Sequence, residues 1–236
     1  MKRRDLLTGL AMGGMQLEAQ PRTRESLYIP KPHLVEDRML LHGTMDEFPF
    51  VELVTAAPTL RITHIPVLLD RDSGRFGKLF GHISRQNPQS ETFDGQQSAV
   101  IVFRGPHSYI SPTWYSKAEA VPTWNFAVVH ATGKLKPIAE KKALHDLLAR
   151  LIHKFEGEGS KYDFASLPES YKYGLIGGII GFEMEIELLE GKFKLGQERN
   201  SPDQQNILRN LQSAKPAKSI HQFTADFYKQ AKPPAD

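Results

Sequence analysis

The chain has 236 residues, of which 40% are hydrophobic and 24% charged, with 18 Gly and 16 Pro. That balance suits a folded chain with one sizeable core and excludes extensive disorder, a collagen-like repeat or a long coiled coil. There is no Cys, which rules out disulfides, thiol nucleophiles, thiolate metal sites and iron–sulfur clusters, and the net charge is only +3, far from the dense positive surface that sequence-blind DNA binding favours.

Residues 1–20 open with Lys2, Arg3 and Arg4, followed by a weakly apolar stretch from Leu6 to Met15. The string Arg3-Arg4-Asp5-Leu6-Leu7 resembles a twin-arginine export signal, which predicts a cleaved leader and a periplasmic protein. A frayed basic N-terminus on a cytoplasmic protein is the alternative. The apolar run is too short to cross a bilayer, which takes about 20 residues as a helix. Without residues 1–20 the net charge falls to +2.

The folded part begins near residue 27. Leu34 to Phe50 shows an intermittent apolar face broken by Gly43 and Pro49, which predicts a short helix at best. Phe50 to Thr55 suits a strand, and Ala57-Pro58 a turn. Arg61 to Leu69 is strand-like, with Pro66 marking an edge or a bulge. Asp70 to Gly74 is a turn signal, and Lys78 to Ile83 resumes as a strand, so the pair forms a hairpin across which His64 and His82 face each other. Ser98 to Phe103 is apolar almost throughout and predicts a strand buried on both faces, and Asn125 to Ala131 predicts another.

Pro137 starts the one long predicted helix, in which Leu144, Leu147, Leu148, Leu151, Ile152 and Phe155 recur at three- and four-residue steps before Gly157. Residues 161–181 form a Gly-rich link that packs as a short turn of helix. Phe182, Met184, Ile186 and Leu188 alternate with Glu183, Glu185 and Glu187, predicting a half-buried strand with one acidic face. Gly191 breaks it, and Phe193 and Leu195 continue on a second strand. Gln204 to Leu211 suits a short helix. The tail, residues 213–236, is Lys-, Pro- and Ala-rich and loosely ordered, with His221 to Phe227 its one anchor. Many strands with one long helix inserted favour a mainly β fold, a small barrel with flanking helices, over an alternating α/β sheet.

No dinucleotide fingerprint, P-loop, HExxH or serine nucleophile elbow is present. Gly174 to Gly181 is Gly-rich but lacks the phosphate-binding spacing and precedes a strand, so it signals close backbone packing. Two segments carry chemistry. In Phe80-Gly81-His82-Ile83-Ser84-Arg85-Gln86-Asn87-Pro88 a strand ends in a hydroxyl, a guanidinium and two amides, a donor set suited to phosphate. In Phe103 to Tyr115, continued by Val121-Pro122-Thr123-Trp124-Asn125-Phe126, both Trp residues sit among Pro-fixed backbone, a rigid surface for a planar ligand or a subunit contact. Gly191 to Arg199 alternates Lys with apolar residues and offers a further cationic contact.

Taken in order, these strings resemble the PaiB-type family of FMN-binding negative transcriptional regulators, from Tyr28-Ile29-Pro30 to about Leu211. The matching segments are His64-Ile65-Pro66, Leu68 to Asp72, Leu79 to Pro88, Phe103 to Pro112, Trp114-Tyr115, Val121 to Asn125, Gly181-Phe182-Glu183 and Gly191 to Leu195. The resemblance implies an FMN-binding split β-barrel over residues 27–212, related to the pyridoxamine-phosphate oxidase-like fold, acting as a homodimer with flavin sites near the seam. It implies cofactor contacts from Thr63, His64, Pro66, His82, Ser84, Arg85, Asn87, Trp124, Lys194 and Gln197. It also implies DNA as a partner, which the small charge supports weakly and which an exported protein would not meet. A flavin-dependent oxidoreductase and a degenerate dimer without flavin are the alternatives. The last gains weight from Gly196, where the family pattern has a hydroxyl, and from Glu198, an added anion.

Overall fold

In the computed structural model, which describes residues 26–117 and 119–213, period-two alternation wraps six antiparallel strands into a closed barrel. The elements in chain order are β1 (Leu34–Val35), α1 (Arg38–Glu47), β2 (Phe50–Thr55), β3 (Arg61–Asp70), β4 (Lys78–Ser84), β5 (Ser98–Ile110), β6 (Thr123–Ile138), α2 (Lys141–Glu156), α3 (Glu169–Gly177), β7 (Ile179–Lys194) and α4 (Ser201–Ser213). Around the wall the order is β2, β3, β4, β7, β6, β5 and back to β2, with β1 added beside β7. The chain is thus a split barrel flanked by helices. The twin-arginine-like leader and the tail beyond Ser213 lie outside the described residues.

One residue of each pair faces in. Val51 and Leu53, Val67, Leu79, Ile101 and Phe103, Val129 and Leu135, and Phe182, Met184 and Ile186 fill the interior. Helix α1 closes one end with Leu41 and Met45, and Asp37 caps it by accepting from the backbone N–H of Met39 and Leu40. A second apolar layer lies outside the wall, where Leu144, Leu147 and Leu151 of α2 and Ile176 of α3 cover Leu68 and Phe80. That layer fixes α3 against the end of β4.

Three expectations are corrected. The long helix begins at Lys141, because Pro137 and Ile138 remain in β6 and pair with Phe182 and Gly181 of β7. Gly191 does not break β7, which runs unbroken to Lys194; its bare Cα lets Leu41 of α1 and Val35 of β1 approach the strand. Strand β5 extends past Phe103 to Ile110, and its outward residues Val100 and Val102 are only half-buried. Its last four residues pair with Thr123 to Phe126 beyond a bulge between Arg104 and His107, so β5 and β6 continue as a two-stranded ribbon.

Candidate functional site

Pro66 sets where the barrel wall opens. The N–H of Val67 donates to Pro49 O on the β2 side at 3.0 Å, so the nitrogen of Pro66 faces β4, where it has no hydrogen to give. Pairing between β3 and β4 accordingly covers only Val67–Asp70 against Lys78–Gly81. From Arg61 to Pro66 strand β3 is bonded to β2 alone, and from His82 to Ser84 strand β4 is bonded to β7 alone. The result is a seam with two lips.

His64, Pro66, His82 and Ser84 lie on the outer face of those lips, alternating with the inward Ile65, Val67, Gly81 and Ile83. Carrying the register on from the Val67–Gly81 pair sets Pro66 level with His82 and His64 level with Ser84. The two histidines are therefore offset by one pair and do not face each other. Phe50 of β2 stacks beside His64, with ring centroids 6.4 Å apart. His82 Nδ1 is buried without a hydrogen-bond partner, and burial pushes its imidazole below the usual histidine value.

That shift makes a stability prediction. An unfolded chain protonates His82 near its ordinary pKa of about 6.5, whereas the folded chain holds it neutral to lower pH. Stability from this site is complete above that value and declines as pH falls below it. Thermal unfolding at pH 7.5 and pH 5.5 should show a smaller drop in Tm for His82→Gln than for the parent chain; equal drops would remove His82 from the pH response.

Directly after Ser84, the loop turns away and Arg85 folds against α3. Its Nε donates to Gly177 O at 2.8 Å and its Nη2 to Ile179 O at 3.0 Å, while its own N–H reaches Gly178 O. The guanidinium thus caps the last carbonyl of α3 and bridges it to the first of β7, and Nη1 makes no hydrogen bond among the described residues. Ser84 Oγ accepts from the N–H of Gln86 and keeps its own hydrogen to donate.

Thr63 and Asn87 are brought together, but on the inner side of the mouth. Asn87 Nδ2 donates to Thr63 Oγ1 at 2.8 Å, Asn87 Oδ1 accepts from Gln89 N–H at 2.9 Å, and Thr63 Oγ1 donates to Gln89 Oε1. Gln89 is fully buried and its Nε2 serves Leu53 O, Thr55 Oγ1 and Arg61 O. These groups lock the loop that presents Ser84 and Arg85. Sequence reading passed over Gln89, and an amide within a polar loop gave no signal for it.

Trp124, Lys194 and Gln197 gather elsewhere, at the ribbon. Trp124 packs edge-on to Tyr109, with centroids 6.0 Å apart, and lies 6.1 Å from His107. Lys194 Nζ donates to Thr123 Oγ1, and Gln197 ties the turn after β7 by accepting from Leu195 N–H and donating to Phe193 O. Gly196 sits in that turn at φ 78°, a left-handed conformation that explains a glycine there. Glu198 lies 3.7 Å from the His33 ring and 3.8 Å from Arg199, so its carboxylate has a guanidinium of its own.

A further polar row crosses the outer wall, also unforeseen. Glu52 pairs with Arg104 at 2.8 Å, and Ser26 Oγ donates to Glu190 and meets His130 Nδ1 at 3.0 Å. Burial holds His130 below its usual pKa against the opposing pull of Glu190 and Glu52.

A family model described as "Putative FMN-binding domain" matches residues 27–188. Protease synthase and sporulation protein PAI 2 of Bacillus subtilis is 32% identical over 189 residues, covering 79% of this chain and 90% of that protein. Among solved structures, the flavocytochrome Anf3 from Azotobacter vinelandii superposes with a TM-score of 0.54 at 11% identity, covering 81% of this chain and 74% of its own. The FAD and heme binding protein from Mycobacterium smegmatis gives 0.52 at 14% identity, covering 82% and 80%. At those identities the two structures speak to the fold alone. The opened seam, the barrel around it and the match across residues 27–188 lead to one assignment: this chain belongs to the PaiB-type family of FMN-binding split barrels.

Proposed function

We propose that this chain binds FMN as a symmetric homodimer, with each flavin held by the seam of one copy and the ribbon of the other. The observation that carries the reading is the division of the candidate residues between the two ends of β7. Ser84 pairs with Ile179 at its start, whereas Lys194 ends it, roughly 50 Å away along the strand. A twofold arrangement lets both sets serve one ligand.

The residues present fit the cofactor. Ser84 Oγ–H and the uncommitted edge of Arg85 supply donors for a phosphate, and Arg85 is already held by α3, so little side-chain entropy remains to be lost. Pro66, His64 and His82 would border the ring from the seam, with Trp124, Lys194 and Gln197 reaching it from the partner. Bound FMN supplies one- and two-electron redox chemistry; the chain's residues hold it and shape its surroundings.

Purified full-length chain is expected to show flavin absorption, or to acquire it on adding FMN, and to run as a dimer in light scattering. A colourless chain that takes up no added FMN would sink the reading. A regulatory role, the other half of the family's description, calls for a DNA surface that a net charge of +3 supports poorly. A labelled-DNA titration at stated salt tests it, with sequence-blind, weak binding counting against regulation.

A further inference from the structure

Strand β7 pairs with β6 along one edge, while β4 and β1 share the other. On that second edge β4 holds β7 up to Glu185, one more bond joins Ile186 N–H to Gly77 O, and β1 takes over at Gly191. Among the described residues no strand pairs there with Glu187 to Glu190, which leaves roughly 13 Å of open edge. A cleft of about 430 Å³ lies over this gap, between the segment leading into α1 and the turn before β4. Leu34, Leu41 and Phe76 wall it, and Leu188 lies on its floor. The volume is within the range of small-molecule sites.

Glu190 stands at the β1 end of the gap, lines the cleft and is 6% exposed. Ser26 N–H and Oγ–H both donate to its Oε2, at 3.0 and 2.6 Å, whereas Oε1 is buried without a partner. A carboxylate oxygen buried without a donor is unfavourable, and an ammonium is its strongest complement. Toward the β4 end, Arg38 and Arg75 line the rim. Arg38 Nη1 donates to Arg75 O at 3.1 Å, and the Arg75 guanidinium lies over the Phe76 ring. Neither makes an ion pair among the described residues, and together they outnumber Glu36, the exposed acid of the rim. The rim therefore favours an anion, and the buried end a cation.

We infer that this cleft binds a short apolar peptide with both termini free, added to the open edge of β7 in the antiparallel sense. Its ammonium meets Glu190 Oε1, its carboxylate meets Arg75 and Arg38, and its side chains rest on Leu34, Leu41, Phe76 and Leu188. A peptide suits the gap better than another zwitterion because a bare strand edge offers N–H and C=O groups in the spacing that an extended backbone complements. Two or three residues match the length of the gap. The inference goes beyond flavin binding and uses none of the residues assigned to it.

The test is a calorimetric titration of the full-length chain with the tripeptide Leu-Ala-Leu, its N-acetyl form and its C-terminal amide. The free peptide should bind saturably, the acetylated one about tenfold more weakly, and the amide about threefold more weakly, as befits a rim contact in water. Glu190→Gln, which keeps an acceptor for Ser26, should weaken the free peptide about tenfold and leave the acetylated one unchanged. Arg75→Ala, at an exposed turn position, should bind acid and amide alike with the fold intact. No saturable binding, equal binding of the acetylated form, indifference to Glu190→Gln, or an Arg75→Ala chain that still prefers the acid would each overturn the inference. FMN uptake is read separately by absorbance. A colourless chain that binds the peptide sinks the flavin reading alone, and a flavin-loaded chain that ignores the peptide sinks this inference alone.

Discussion

Replacing Gly133 with alanine is expected to destabilise the barrel by about 3 kcal/mol or more, the upper range of overpacking effects. Gly133 faces inward on β6 where the register against β7 slips by one residue, between the Thr132–Leu188 and Gly133–Ile186 pairs. A Cβ there would stand 2.2 Å from the backbone oxygen of Glu185 and 2.8 Å from Met184 Cγ. The first obstacle is main chain within the ladder that joins β6 to β7, and it cannot retreat without parting the strands. Gly191 is the control. Its Cβ would also meet an atom at 2.2 Å, but that atom is Leu41 Cδ2, a side-chain tip that can turn aside, with Val35 O at 3.1 Å. Gly191→Ala should therefore cost about 1–2 kcal/mol. Urea unfolding followed by circular dichroism checks both, and equal losses would show that the ladder at Gly133 can yield.

The same ladder explains what the amino-acid order could and could not reveal. Alternation identified the first part of β7, which has one face in the barrel, while β2, β3 and β4 were legible as strand-like runs between turn signals. Pro66 signalled a break in pairing, since a missing N–H is a local property. The position of that break became a seam only through the orientation of Val67 toward Pro49, which depends on β2. Pro137 was ambiguous in principle: it suits the first turn of a helix and also a strand end, and pairing with Phe182 decided for the strand. Gly191 likewise looks like a breaker until Leu41, 150 positions away in sequence, is seen to need the space. At the candidate site, the donor run from Ser84 to Asn87 was legible as chemistry. Its division was not, because the inward side of Thr63 and Asn87 follows from the Gln89 plug.

The second large effect concerns the flavin reading and who supplies which residue. Arg85→Ala should weaken FMN binding about 10- to 100-fold, the loss of a charge-assisted contact to phosphate. Arg85→Lys should fall between, because it keeps the charge but not the fork that reaches Gly177 O and Ile179 O together. Lys194→Ala should also weaken FMN, acting from the ribbon. Neither single variant tells whether the two residues serve the same flavin from one chain or from two. A heterodimer does. When an Arg85→Ala chain is paired with a Lys194→Ala chain, a site built across the dimer exists in two forms. One combines the altered seam with the altered ribbon and carries both lesions; the other combines the native seam of the second chain with the native ribbon of the first. Differently tagged chains purified through both tags should thus bind about one FMN per dimer with parental affinity. Were each site built within a single chain, every site would carry one lesion and none would recover. Flavin fluorescence quenching counts the high-affinity sites, and finding none, with both single variants weakened, would place both residue sets on one chain.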